Sequence, residues 1–165
     1  MTFPKILCFG YGNPGRGDDA LGPRFIEEIE KGRTYQKSTA HLECLTDFQL
    51  QIEHTEDLLN RDLVLFVDAH LTASPPFVFQ RIQGDPIPHF STHALSPQSL
   101  IALHEAIHGK APPSFLLGIR GESFDLGAPL SRIAENHLLE ALKFSSKLLT
   151  QASEDAWGRL EISSS

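Results

Sequence analysis

The chain has 165 residues, a formal net charge of −7, 41% hydrophobic and 21% charged residues, which is ordinary for one globular domain. A domain of this length buries roughly 70% of the surface its unfolded chain exposes, so it needs no disulfide or structural metal to fold. The acidic balance repels phosphate backbones and argues against nucleic acid as the main partner, and no apolar run approaches the ~20 residues that a membrane span needs.

The opening residues from Met1 to Gly10 lack a basic stretch followed by a long apolar core, so no secretion signal is expected. Cys8 and Cys44 both lie in apolar runs and read as buried thiols in a reducing compartment, the cytoplasm. Lys5–Gly10 is a short continuous apolar run, the pattern of a strand buried on both faces. Leu21, Phe25 and Ile29 recur every four residues and mark the inner face of a helix. His41–Leu45 is a weak strand, and Leu50–Asn60 is predicted helical with Leu58 and Leu59 inward. Leu63–Val67 is the clearest buried strand. Phe77–Ile82 follows a connection too short for a helical crossover, which predicts an antiparallel strand. Ser96-Pro97 is a good helix start, with Leu100, Leu103 and Ile107 inward and a stop at Gly109. Ser114–Ile119 is another buried strand, and Leu130–Leu149 a long helix capped by Ser131. From Ser153 to Ser165 the chain is polar and reads as a tail pinned by Trp157, which places one α/β/α domain at residues 1–150 and a tail at 151–165.

This alternation predicts three layers around a mostly parallel sheet. Ligands bind such sheets beyond the carboxyl ends of the strands, so chemistry is expected just after Gly10, Val67 and Ile119. The segment Gly10-Tyr11-Gly12-Asn13-Pro14-Gly15 has the spacing of a dinucleotide loop, but Asp18 and Asp19 follow where a pyrophosphate wants positive potential, and Pro14 removes an N–H. Its glycines read instead as a tight turn. One aspartate suffices to complement a helix start; a second makes the Asp18-Asp19 pair a metal-ligand candidate. Asp68, directly after Leu63–Val67, points a carboxylate into the expected crevice. With His93 these would make an oxygen, oxygen, nitrogen set suited to nickel or zinc, with positions left open for water or substrate. A rival is His104-Glu105-Ala106-Ile107-His108, the H-E-x-x-H pattern of zinc peptidases, although His108 falls in a last turn and no third ligand follows. No Ser–His or Cys–His nucleophile pair stands out.

The segment from Gly10 through Asp18-Asp19 to Gly22 resembles the opening G-x-G-N-x-x-x-x-D-D-x-x-G of hydrogenase maturation proteases. Val67-Asp68-Ala69 is similar to their central V-D-A, Ser91-Thr92-His93 to their S/T-T-H segment, and Asp47-Phe48-Gln49-Leu50 to a Q-L segment of some members. Leu117-Gly118-Ile119 and Gly127-Ala128-Pro129-Leu130-Ser131 also fit. The resemblance implies a twisted five-stranded sheet between helices, in the order two-one-three-five-four with the fourth strand antiparallel. It implies a triad of Asp19, Asp68 and His93, with Asp18 as the alternative to Asp19, and a substrate-facing loop at Gly10, Gly12 and Asn13. The activity implied is one cut near the C-terminus of a nickel-iron hydrogenase large-subunit precursor, after nickel insertion. Nickel is then carried by the precursor, with no organic cofactor. Nickel polarising the scissile carbonyl and an aspartate acting as general base both remain open at this level. The other readings weighed are a peptidyl-tRNA hydrolase, whose T-R-H-N segment is missing here, the zinc peptidase of His104 and His108, and a non-catalytic nickel-sensing module.

Overall fold

The computed structural model describes residues 2–32, 40–86 and 95–163. Five strands form one sheet: β1 (Lys5–Tyr11), β2 (His41–Asp47), β3 (Leu63–His70), β4 (Phe77–Ile82) and β5 (Ser114–Arg120), in the order β2-β1-β3-β5-β4. The first three and β5 run parallel, and β4 closes one edge antiparallel to β5. Every residue of β1 after Lys5 is buried, as its unbroken apolar run requires of a strand covered on both faces. By contrast β2 is an edge strand with no fully buried residue, so its sequence signal is weak and its Cys44 only half-buried.

Helices cover both faces. On one side α1 (Leu21–Lys31) and α3 (Arg132–Thr150) pack Leu21, Phe25, Leu138 and Leu148 onto Cys8, Leu65, Val67 and Leu117. On the other, α2 (Pro97–His108) and a 3-10 segment at Ile52–Leu58 place Leu100, Ile101 and Leu58 over Phe9, Phe66 and Leu116. Ser96 and Ser131 cap α2 and α3 by accepting from the Ser99 and Ala134 amides, at 3.0 and 3.1 Å.

Two expectations are corrected. The segment predicted as a helix over Leu50–Asn60 is the shorter 3-10 turn, because Leu59 is extended at ψ 138 and Asn60 takes φ 60; Leu58 is buried but Leu59 is 39% exposed. The inner line of α2 is Leu100, Ile101 and His104 rather than Leu100, Leu103 and Ile107, and Ile107 is 56% exposed. Only the first two turns of α2 lie over the sheet, and the packed face is rotated by one position. Beyond residue 150 Trp157 pins the chain as expected, fully buried against Phe79 and Phe115, and the segment carries structure of its own: Glu154–Arg159 forms α4 and Ile162 bridges Phe79.

The glycines of the first loop act mainly in packing. A Cβ on Gly10 would stand 2.3 Å from the Gly22 carbonyl oxygen, and one on Gly22 would stand 2.4 Å from that of Tyr11 and 2.7 Å from that of Val67. Side chains at either position would push α1 off the carboxyl ends of β1 and β3.

Candidate active site at the carboxyl edge

The two adjacent aspartates have different surroundings. Asp18 is fully buried, and its carboxylate accepts four hydrogen bonds: from the Glu122 and Ser123 amides at 2.8 and 3.0 Å, and from the Ser131 amide and hydroxyl at 2.7 and 2.8 Å. Burial raises its pKa, but those four donors outweigh burial and hold it below the ordinary carboxylate value. The Asp18 amide in turn donates to the Ser123 carbonyl, and Gly17, at φ +54, donates to that of Ala128. Asp18 thus ties the 3-10 turn Gly17–Ala20 to the chain after β5, and its oxygens are filled from within the protein.

Asp19 is half-buried and has one amide partner, Asn13, which donates to its Oδ2 at 2.7 Å. The loop bends back at Gly12, where φ is +145 and a Cβ would stand 2.0 Å from the Asp19 carbonyl oxygen. Of the three loop positions, Gly10 and Gly12 are buried by these contacts and Asn13 is partly exposed.

Asp68 lies at the carboxyl end of β3, beside Asp19 electrostatically and hydrogen-bonded by the Tyr11 phenol. Its carboxyl is pushed up to about 7, first by burial and then by the Asp19 charge, against the Tyr11 phenol and the Ala69 amide, which favour the anion. Burial and the Asp68 charge push the Tyr11 phenol well above its usual value, so it stays protonated and donates. Two carboxylates close enough to influence each other electrostatically at a partly buried edge, one of them raised toward neutral pH, favour the arrival of a cation or of a proton to be moved. Tyr11 was not singled out by sequence: it sits at the variable position of the glycine loop, and only the β1–β3 pairing sets it beside Asp68.

His93 lies outside the described residues, so the third expected partner has no described position. Leu95 bridges Leu50 just beyond β2. Among the described residues no three His, Cys, Asp or Glu side chains form a metal-sized group. The Cys8 thiol is raised well above its usual value, by burial first and by Cys44 second, which disqualifies it as a nucleophile at neutral pH. His104 and His108 face each other on α2, whose last turn lies at the amino edge of the parallel strands, away from Asp19 and Asp68.

No family model matches the chain. Among curated proteins it is 25% identical over 156 residues to the hydrogenase expression/formation protein HupD of Thiocapsa roseopersicina, covering 90% of this chain and 69% of that protein. It is 25% identical over 159 residues to the corresponding protein HoxM of Azotobacter vinelandii, covering 92% and 75%. Among solved structures it superposes on the hydrogenase maturating endopeptidase HybD of E. coli with a TM-score of 0.63 at 25% identity, covering 86% and 89%. The NiFe hydrogenase maturation protease HycI of Thermococcus kodakarensis shares the fold with a TM-score of 0.68 at 21% identity, covering 88% and 92%.

Proposed function

We propose that the chain, which is similar to hydrogenase expression/formation proteins and to a hydrogenase maturating endopeptidase, is the endopeptidase that removes the C-terminal peptide of a nickel-iron hydrogenase large-subunit precursor after nickel insertion. The observation that carries the reading is the Asp19–Asp68 pair at the carboxyl edge of the sheet, with Asp68 raised to about 7. Nothing specific favours the peptidyl-tRNA hydrolase, zinc-peptidase or non-catalytic readings.

On this reading Asp19, Asp68 and His93 meet nickel that the precursor carries, and Asp18 serves the frame of the site. The pair gives a physical reason for a nickel check. Asp19 and Asp68 repel each other when both are ionised, and a precursor bearing a divalent cation relieves that repulsion. A precursor without nickel offers no such gain and docks more weakly. Tyr11 donates to the Asp68 carboxyl and so restricts its orientation. Once the scissile bond is placed beside the nickel, attack by water needs a base, and a carboxylate at that position is suited to take the proton. The two unpaired cysteines fit a cytoplasmic location for the reaction.

The test is processing of a nickel-loaded precursor in vitro, read as the mobility shift of the large subunit. Asp68→Asn and His93→Ala are expected to abolish the cut while circular dichroism and thermal unfolding stay cooperative. Full cleavage by both variants would sink the assignment. Glu105→Ala is expected to cleave at the wild-type rate, and its loss of activity would restore the zinc-peptidase reading.

A further inference from the structure

The H-E-x-x-H stretch plays no part in the reaction proposed above, yet its two histidine rings lie side by side one turn apart on α2. His104 is only 2% exposed, and its Nδ1 lies 2.7 Å from the Thr55 carbonyl oxygen. A carbonyl oxygen only accepts, so Nδ1 carries the hydrogen and the lone pair is on Nε2. Nε2 has no protein partner among the described residues. It belongs to a side chain that lines a cleft of ≈850 Å³ at the amino edge of the parallel strands. A ring nitrogen fixed by a backbone carbonyl, with the other left free, is the arrangement that orients a metal-binding histidine.

His108 follows one turn later and is exposed to the same cleft. The two ring centroids are 5.0 Å apart. A zinc-like ion about 2.0–2.1 Å from each ring nitrogen, at a tetrahedral angle, requires ring centroids about 5 Å apart. The charges of the lining balance, Arg61, Arg81 and Lys110 against Asp62, Glu105 and Glu154, so the cleft does not repel a cation. Arg61 and Arg81 are moreover paired with Glu43 and Glu154 at 2.6 and 2.7 Å.

We propose that His104 and His108 form a two-histidine site for a late first-row divalent ion, with water in its remaining positions, separate from the Asp19–Asp68 edge. It is a binding site and not a second peptidase centre. Glu105 is turned against Gly84, where a Cβ would stand 2.6 Å from its Oε1, and no third protein ligand joins the pair among the described residues. Imidazole nitrogens select zinc, nickel, copper or cobalt over magnesium and calcium.

The experiment is zinc and cobalt titration of the untagged chain carrying Asp19→Asn and Asp68→Asn, which removes the other centre and makes the result independent of the proposed function. One ion per chain is expected, with the ring signals of His104 and His108 shifting together by NMR. Adding His108→Ala, an exposed position whose loss leaves the fold intact, is expected to weaken binding at least tenfold. Equal affinity with and without His108, absence of binding before that change, or ring shifts confined to other histidines would each overturn the site.

Discussion

Two neighbouring carboxylates of the same type are separated by their partners. Asp18 accepts four hydrogen bonds in full burial, whereas Asp19 accepts one and is half-exposed. Asp18→Ala strands those donors, and denaturant unfolding should show a loss of about 3 kcal/mol or more. Asp19→Ala should cost within about 1 kcal/mol and yet stop processing. Because the Asp18 pKa is lowered by folding, its contribution is complete above the unfolded carboxylate value and disappears as pH falls through the lower folded value. Asp68 has the opposite sign. Its folded value of about 7 means the folded chain binds the extra proton from about pH 4 to 7, and stability falls as pH rises across that window. Asp68→Asn should therefore unfold later than wild type at pH 8, by roughly 1–2 kcal/mol after allowance for partial exposure, and similarly at pH 4. A wild-type chain that gains stability between those limits contradicts the assignment.

At the scale of elements, the decisive contact is α1 against β1 and β3. Gly10 and Gly22 remove the two side chains that would separate them, and the turn carrying Asp18 and Asp19 immediately precedes that helix. Gly22→Ala places a Cβ within 2.4 Å of one carbonyl oxygen and 2.7 Å of another. Such a clash with backbone costs about 1–3 kcal/mol and shifts the helix start. Thermal unfolding should register the first effect, and a lowered cleavage rate in the folded variant the second; a wild-type rate would show that the site tolerates movement of α1. Ser131 belongs to the same element-level coupling. Its one hydroxyl accepts from the Ala134 amide at the start of α3 and donates to Asp18, so the last long helix and the first turn are fixed by one side chain.

Across the whole molecule, the segment after α3 completes the core. Trp157 is fully buried, its Nε1 donates to the Leu148 carbonyl at 3.0 Å, and its ring meets Phe79 and Phe115 edge-on. Trp157→Ala should cost about 3–5 kcal/mol, a loss in urea unfolding well beyond that of a surface change. A loss under about 0.5 kcal/mol would mean that the segment is an appendage.

The fold was legible because its strands are buried on both faces and its helices carry caps. Runs such as Leu63–Val67 and starts such as Ser96-Pro97 encode themselves locally, and the order of the glycine, Asp-Asp and V-D-A segments was visible as a resemblance. Elements at the edge of the packing were less legible. The apolar residues Leu59 and Ile107 face water, and a polar closing stretch holds the largest buried side chain. By itself the sequence determined the three-layer order and nominated the candidate carboxylates, because both follow from periodicity and residue type. Only the tertiary structure decided that Asp18 is a clip and Asp19 a carboxylate with a single amide donor, that Tyr11 serves Asp68, and that His104 keeps an unpartnered nitrogen among the described residues. Each of those outcomes depends on donors brought from distant segments, such as Glu122, Ser131 and Thr55, and no local spacing records which of them arrive.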